Sequence, residues 1–380
     1  MKRIFCISFT ILSICQPLRS LAGDSLVFKG QASGWINLNP TIDMPVWIGA
    51  RYIPTLNYSV VLPQNRLLDF EASANISGNA GFYSFDSVNS DVSLKPYRMW
   101  ARYSGRQFEL RIGLQKINFG SAAMLRPLMW FDQLDPRDPL QITNGVWALL
   151  GRYYFLNNAN IWLWSLYGNK EAKTWELGAT SQDTPEFGGR IQVPLLKGDA
   201  AFSCHFRQAD TRLLTDSLTG NSNTPEQRIG LDGKWDVGPG IWFESVWIHK
   251  SINSGIATNQ EIFTVGTDYT FGIGNGLNAV LEHMVYGYGT DAFDFNQRLS
   301  FSGLSLSYPL NINNQLNAVF YHDWTNHTFY NFVNWKHQFN KLDAYLMAYW
   351  NPEEYRMPLQ NAKNMITAGK GIQIMMVFNH

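Results

Sequence analysis

Apolar and polar residues alternate strictly between positions 68 and 76. A β-strand places successive side chains on opposite faces, whereas a helix would spread these residues around its whole circumference. The apolar face comprises Leu68, Phe70, Ala72, Ala74 and Ile76, and the polar face comprises Asp69, Glu71, Ser73 and Asn75. The pattern therefore predicts a strand with one apolar and one polar face.

This unit recurs along the chain, with roughly ten alternating residues followed by Gly, Asn, Asp or Pro, as is typical of transmembrane β-barrels. Further alternating segments lie at 187–193, 200–206, 228–235, 241–247, 263–271, 316–320, 329–335, 342–350 and 372–378. Aromatic clusters near segment ends fit either interfacial girdles or ordinary strand aromatics. Examples are Trp162 with Trp164, Tyr286 with Tyr288, and Tyr349 with Trp350.

A β-hairpin is predicted around a two-residue turn at Ser104-Gly105. This register produces a continuous apolar face, and a slip of one residue would mix the two faces. The apolar pairs are Tyr97 with Ile112, Met99 with Leu110, and Ala101 with Phe108. The same register places Arg98 opposite Arg111, a like-charge pair that is unfavourable unless it is screened or neutralised. A water-filled lumen with a nearby carboxylate would do this, and lipid would not.

Composition supports a membrane barrel. Aromatic residues make up 14% of the chain and charged residues only 16%, against about 25% charged residues in soluble domains. No segment after the N-terminal region approaches the 18 unbroken apolar residues of a transmembrane helix. With about 20 residues per strand and connection, the 358 residues that follow position 22 predict an all-β, antiparallel transmembrane barrel of about 16–18 strands.

The N-terminal region has the features of a secretory signal peptide. Lys2 and Arg3 precede an apolar run at 4–15, and Ser20 and Ala22 supply small residues for cleavage. We therefore expect a signal peptide at residues 1–22 and a single outer-membrane β-barrel domain at 23–380. A lipoprotein signal ending at Cys15 is the alternative.

Removal of residues 1–22 also changes the charge and the cysteine content. Lys plus Arg falls from 30 to 27 against 30 Asp plus Glu, so the mature chain is slightly acidic. This balance does not favour a nucleic-acid partner. Only Cys204 remains, so no intrachain disulfide can form, and its alternation with Phe202 and Phe206 indicates a lipid-facing position.

The segment 118–145 is long for a connection between strands, and it is rich in both apolar and charged residues. Its apolar surface must be buried, either in the lumen or against a neighbouring subunit. We favour the lumen, because the preceding hairpin brings charged residues to the inner face. The loop is therefore predicted to fold inward and to form a constriction that selects solutes by charge.

The predicted pore-lining and constriction residues come from this hairpin and this loop. They are Arg98, Arg102, Glu109, Arg111, Gln115, Arg126, Asp132, Asp135, Arg137 and Asp138. We expect ion pairs between the loop and the hairpin, which would either shape the constriction or only pin the loop.

Several short motifs lie in the same region. The strand at 111–115 reads R-x-G-x-Q, Phe119-Gly120 follows, 135–139 reads D-P-R-D-P, and 145–149 reads G-V-W-A-L. This arrangement resembles porin-like outer-membrane barrel families, which have alginate-export-like barrels among their relatives. Phe119 stands where Trp is common in those families, which loosens the match.

The resemblance implies a channel for small solutes or ions in the bacterial outer membrane. It places Arg111, Gln115, Gly120, Asp135, Arg137 and Asp138 near the constriction. It also implies contact with outer-membrane lipid, insertion by the barrel-assembly machinery and a possible homo-oligomer. The last strand alternates toward Phe378, as in chains that this machinery recognises, although Asn379 and His380 follow. The resemblance does not identify the solute that this chain would transport.

Catalytic and metal sites are less well supported. No G-x-S-x-G, H-E-x-x-H or Cys/His metal cluster is present. Asp132, Asp135 and Asp138 could gather around a calcium ion, but loop Asp residues more often cap turns or pair with Arg. We therefore predict no enzyme, metal or cofactor. The alternatives are a plugged barrel that serves as an export or secretion partner and, less favoured, a hydrolase that uses His322.

Overall fold

The computed structural model describes residues 25–83, 87–169, 171–181, 183–212, 223–353 and 367–380. The expected signal peptide at 1–22 lies outside the described residues.

Eighteen antiparallel strands form one sheet in these ranges, and the sheet closes because β1 pairs with both β2 and β18. The strands are β1 Ser25–Leu38, β2 Val46–Leu62, β3 Arg66–Tyr83, β4 Ser87–Ser104, β5 Phe108–Gln115, β6 Val146–Tyr154, β7 Asn160–Leu166, β8 Glu186–Leu195, β9 Gly198–Ala209, β10 Thr224–Asp236, β11 Gly240–Lys250, β12 Asn259–Phe271, β13 Leu277–Gly289, β14 Arg298–Asn311, β15 Asn314–Asp323, β16 Thr328–Gln338, β17 Leu342–Trp350 and β18 Lys370–Asn379. The predicted barrel is confirmed, and its strand number lies at the upper end of the expected range.

The outer surface of the barrel is a belt of large apolar side chains. Leu163, Leu346 and Ile374 are 64%, 44% and 52% exposed, although each lies well inside its strand. Apolar exposure on this scale around a closed barrel requires an apolar solvent, which is lipid. No helix in the described ranges is long and apolar enough to cross a membrane.

The two ends of the barrel differ in their connections. One end carries turns of two to five residues, and the other carries the longer segments, including 116–145 and 167–185. Outer-membrane barrels place short turns in the periplasm and long loops outside the cell. We call the two ends periplasmic and extracellular on this basis.

The predicted hairpin of β4 and β5 is present, but its turn lies two residues later in the chain than expected. Ser104 pairs with Glu109, and the Gly105 N–H donates to the Phe108 carbonyl at 2.9 Å. Arg111 therefore lies opposite Arg102 and not opposite Arg98. Because the shift preserves the alternation, each residue keeps its predicted face.

The girdle interpretation of the aromatic clusters is wrong at several positions. Trp164, Tyr286 and Tyr349 are 3%, 7% and 2% exposed and face the barrel interior. They were ambiguous in the sequence because both neighbouring faces of their strands are apolar. Trp350, at 43% exposure, does face outward.

The outer belt generates a stability prediction. Leu346 lies at the middle of β17, between the exposed Trp335 and Ile374 on the adjacent strands. Leu346→Arg places a charge in lipid and should destabilise the barrel by about 2–4 kcal/mol. Urea titration of folding into phospholipid vesicles measures the change. Ile256→Arg, at an exposed isoleucine of an extracellular turn, is the matched control and should leave the midpoint unchanged. Equal effects would contradict a lipid-facing Leu346.

Candidate functional site

The segment 116–145 enters the barrel and fills part of the lumen. Leu125, Leu128 and Trp130 are at most 1% exposed. They belong to a continuous apolar cluster with inward-facing residues of β6, β7 and β11–β16, among them Leu150 and Met284. Burial of this surface stabilises the loop inside the barrel. The loop packs as firmly as a protein core, as its aromatic composition predicted.

A buried carboxylate on β11 binds the backbone of the loop. Glu244 Oε1 accepts the Ala122 N–H at 2.7 Å, and Oε2 accepts the Leu128 N–H at 2.9 Å. Gly120 approaches the same carboxylate with φ +97°, and a Cβ at this position would lie 2.3 Å from Glu244 Oε1. Glycine is therefore required where the loop turns against the wall.

A second carboxylate, on β13, makes three such bonds. Glu282 accepts the N–H groups of Ala123, Met124 and Leu125 at 2.6, 2.9 and 2.6 Å. Trp242 Nε1 donates to the same carboxylate at 3.0 Å. Buried N–H groups need partners, and charged acceptors make the stronger bonds. We call Glu244 and Glu282 the wall carboxylates.

Sequence reasoning missed both wall carboxylates. A signal was present, because each is an isolated charge at an inward position of a strand whose next inward residue, Val246 or Met284, is apolar. Such a charge needs a partner from elsewhere in the chain, which strand periodicity does not identify.

Three of the predicted residues, Arg98, Gln115 and Arg126, form hydrogen bonds that hold the loop and its flanking strands in place. Arg98, 7% exposed, donates from Nη2 to the carbonyl and hydroxyl oxygens of Thr143, both at 3.0 Å. Gln115 is fully buried and donates to the Ala148 carbonyl at 2.9 Å. Arg126 donates to the Phe119 carbonyl at 3.1 Å. These contacts hold the backbone of the loop and of its flanking strands.

The second half of the loop forms local contacts. Arg137 binds Asp135 through Nε at 2.9 Å and Nη2 at 2.8 Å, and Asp138 accepts the N–H groups of Leu140 and Ile142 at 2.9 and 3.2 Å. These contacts match the turn-capping alternative. The described residues contain no group of three or more His, Cys, Asp or Glu side chains positioned to bind a metal ion.

Three arginines lie around Glu109 on β4–β6, near the periplasmic end. Arg111, Arg152 and Arg102 approach its carboxylate at 2.8, 3.6 and 3.8 Å. Arg102 also binds Asp69 at 2.7 Å. We call this group the arginine cluster, and its three arginine side chains are 14–29% exposed. These arginine side chains therefore remain partly exposed.

The predicted residues thus divide into two groups. Arg102, Glu109 and Arg111 lie together in the arginine cluster, which sequence analysis also missed in part, because Arg152 belongs to it. The expected ion pairs between loop and hairpin are replaced by Arg102–Asp69 and Arg111–Glu109 within the wall and Arg137–Asp135 within the loop. Partners close in sequence or on adjacent strands reach each other without crossing the lumen.

Asp132 is buried at 1% exposure, and within the described ranges neither carboxylate oxygen has a hydrogen-bond partner in another residue. Burial raises the pKa of Asp132 above its ordinary value, although Arg126, Lys116 and Arg98 act in the opposite direction. The carboxyl is therefore a destabilising element of the packed loop when it is ionised.

A second extracellular segment, 171–181, enters the lumen above the first loop. Trp175 Nε1 donates to the Arg126 carbonyl at 2.8 Å, and Thr174 Oγ1 donates to the Asp132 carbonyl at 3.0 Å. The two loops therefore contact each other inside the barrel. Sequence analysis did not anticipate this segment.

His322 and Asp323, which are adjacent in sequence, do not form a catalytic pair. His322 is partly exposed on the outer face, where its ring lies 4.3 Å from those of Trp324 and Phe329. Asp323 is fully buried and accepts the N–H groups of Thr325 and Asn326. Successive strand residues point to opposite faces, so His322 and Asp323 cannot act as a pair.

No protein-family model and no curated protein sequence matches this chain. The barrel is similar to Acinetobacter baumannii OccAB1, with a TM-score of 0.56 and 7% identity over 94% of this chain and 96% of that chain. It is also similar to OccAB4 of the same organism, with a TM-score of 0.55 and 8% identity over 94% and 98%. The outer membrane channel DcaP of A. baumannii gives a TM-score of 0.51 and 12% identity over 96% and 99%.

At these identities the likeness shows the fold, which is that of bacterial outer-membrane barrels. The closed eighteen-stranded sheet and its apolar belt fit this environment. The protein is therefore located in a bacterial outer membrane.

The wall carboxylates generate a prediction about the loop. In a Cys204→Ser background, Ala122→Cys places a thiol at a buried position beside Glu244. Adding Glu282→Gln replaces an acceptor of three N–H groups, so thiol labelling by a maleimide should accelerate by about tenfold or more.

The matched control is Glu261→Gln. Glu261 accepts the Phe293 N–H from a different extracellular loop at 2.9 Å, and its substitution should not change labelling at position 122. Unchanged labelling in the Glu282→Gln variant would refute the anchoring role of Glu282.

Asp132 generates a pH prediction. Its pKa is higher in the packed loop than in a released loop, so the packed state binds the proton more tightly. Loop packing should be favoured at low pH and should weaken as pH rises through the raised pKa. Amide hydrogen exchange of residues 119–131, corrected for the intrinsic rate, measures this protection. Asp132→Asn should increase protection at neutral pH and reduce its pH dependence, and an unchanged pH profile would contradict the assignment.

Proposed function

We propose that this protein is a porin-like channel for diffusion of small solutes or ions across the outer membrane, and that the loop at 118–145 forms its constriction. The observation that carries the proposal is the unequal filling of the lumen. Inward side chains such as Glu244 and Glu282 are buried beneath the loop, whereas the side chains of Arg102, Arg111 and Arg152 are partly exposed to solvent. A passage along the arginine cluster follows from this asymmetry.

The charge of this passage supports a weak preference for anions. The arginine cluster combines three arginines with the carboxylates Asp69 and Glu109, which leaves one excess positive charge. Trp100 lies beside Arg111, with 4.8 Å between the guanidinium and the ring centroid. Charged side chains at a narrow point bias the ions that enter.

The remaining parts of the proposal come from the sequence motifs. Kinship with alginate-export-like barrels is supported by the motifs at 111–149. Insertion by the barrel-assembly machinery is supported by β18, whose outward residues end at Phe378.

A plugged barrel that acts as an export partner is the second candidate. It is favoured by one observation, which is that two separate segments, 116–145 and 171–181, are buried together in the lumen. Two packed segments reduce the free cross-section more than one.

Single-channel recording in planar bilayers distinguishes the two candidates and tests the passage. Steady conductance of the purified protein is expected for a channel. Replacement of Arg111 and Arg152 by Ser removes two positive charges and should shift the reversal potential in a salt gradient toward cation selectivity. Arg106→Ser, in the exposed periplasmic turn, is the control and should cause no shift.

An unchanged reversal potential in the double variant would remove the arginine cluster from the conduction path. A silent wild-type barrel that conducts only after Glu244→Gln and Glu282→Gln substitution would support the plugged barrel.

A further inference from the structure

Seven buried charged side chains meet at the extracellular end of the lumen, where the segment 171–181 contacts β8–β11. Four are cations and three are carboxylates. We call them the charge cluster, and its members are Lys173, Glu176, Glu186, Arg207, Glu226, Arg228 and Lys250. Their side chains are at most 6% exposed.

Glu176 connects the segment 171–181 to two arginines of the barrel wall. Its Oε1 lies 2.9 Å from Arg228 Nη2, and its Oε2 lies 3.4 Å from Arg207 Nη1. Burial opposes ionisation, but Arg207, Lys173 and Arg228 hold the pKa of Glu176 below its ordinary value. The loop therefore supplies a carboxylate anion to the wall.

The wall alone has too few carboxylates for its cations. Arg207, Arg228 and Lys250 all bind Glu226, at 2.6, 2.8 and 3.3 Å. Without Glu176, these three cations would share one adjacent carboxylate, an arrangement that favours binding of an anion. Among the described residues, Arg228 Nη1 has no hydrogen-bond partner even with Glu176 in place.

Glu186, the remaining carboxylate that β-strands contribute to the charge cluster, forms other bonds. It accepts Lys173 Nζ at 3.1 Å and lies 3.0 Å from His205 Nε2. Trp164 Nε1 donates to His205 Nδ1, which assigns the proton of the neutral ring to Nε2. Glu186 is thus bonded to a neutral histidine and to Lys173 of the segment 171–181, and it acts on Arg207 only at longer range. Release of the segment removes Lys173 together with Glu176, which leaves Arg207, Arg228 and Lys250 with Glu226 and the more distant Glu186.

The backbone conformation at Trp175 favours release of this part of the segment from the lumen. Trp175 has φ +66°, a left-handed conformation that is costly for a bulky residue, and packing against Tyr286 holds it there. The C-terminal part of the segment is held more firmly, because the Gly178 carbonyl accepts Arg207 at 3.3 Å and the backbone at 179–181 pairs with the end of β9. Strain at Trp175 would be relieved if the segment left the lumen.

We propose that Arg207, Arg228 and Lys250 form an extracellular binding site for a small carboxylate anion, and that Glu176 occupies this site as an internal competitor. A carboxylate ligand would replace Glu176 and free the part of the segment that carries Thr174 and Trp175, while the backbone at 179–181 stays paired with β9. The hydrogen bond from Trp175 to the Arg126 carbonyl would then break, so the ligand would also loosen the loop at 116–145. The site requires no conduction, so its test is independent of the proposed channel activity.

Propionate is the probe, because it reproduces the carboxylate end of a glutamate side chain. Thr174→Cys in the Cys204→Ser background reports release of the segment, since Thr174 is buried at 6% exposure. Propionate should accelerate maleimide labelling at position 174 several-fold and saturably. Propionamide, which has the same shape and no charge, should not. Equal effects of the two compounds, or no effect of propionate, would overturn the proposal.

Direct binding supplies the second measurement. Calorimetry should show tighter propionate binding to Glu176→Ala than to the unsubstituted protein, because the internal competitor is gone. Arg228→Gln added to Glu176→Ala should abolish binding, and Glu261→Gln, which loosens a different extracellular loop, should leave it at the wild-type level. Propionate binding that is no tighter in Glu176→Ala would overturn the competition.

Glu176→Gln covers the case in which Glu176→Ala does not fold. It retains the side-chain shape, and it should accelerate labelling at position 174 by about tenfold because bonds from two arginines lose their charged acceptor. Labelling at the wild-type rate would refute the role of Glu176 in holding the segment.

Discussion

Backbone N–H groups of a lumen loop bind two buried carboxylates of the barrel wall, and the rest of the interior depends on this interaction. A loop inside a barrel brings polar backbone into a space that its own apolar side chains make dry, where an unpaired N–H is costly. Glu244 and Glu282 together accept five of these groups. With these bonds made, Leu125 and Trp130 can be buried in the same cluster as wall residues such as Met284.

The positions of the two wall carboxylates determine the side of the barrel against which the loop is anchored. Both wall carboxylates lie on β11 and β13, so the loop is drawn to that side of the barrel. The arginine cluster lies on β4–β6 near the periplasmic end, and its arginines pair with Glu109 and Asp69 of the same wall. Because these arginines find carboxylate partners on the barrel wall, they form no ion pairs with the loop in the described part of the chain. The loop is therefore packed against β6, β7 and β11–β16, whereas the arginines of the arginine cluster keep partial exposure.

Periodicity predicted the barrel well because lipid imposes one simple rule on every strand. Residues such as Leu346 and Ile374 are apolar because they face hydrocarbon, whatever the rest of the chain does. The hairpin turn was predicted two residues too early in the chain, because both registers satisfy that rule equally. The loop was predicted to fold inward from its composition alone. Its anchors were not predicted, because Glu282 and Met124 are joined by geometry across the lumen and not by any local pattern.

The two lumen segments also depend on each other through backbone carbonyl groups. Trp175 and Thr174 donate to the carbonyls of Arg126 and Asp132, so the upper segment binds positions that the lower loop presents only when packed. The segment 171–181 is in turn held by ion pairs from Glu176 to Arg207 on β9 and Arg228 on β10. Loss of either attachment weakens the other, because each segment buries polar groups of its partner. The interior is consequently a cooperative unit, in which a change at the extracellular charge cluster can be transmitted to the loop at 116–145 through Trp175 and Thr174.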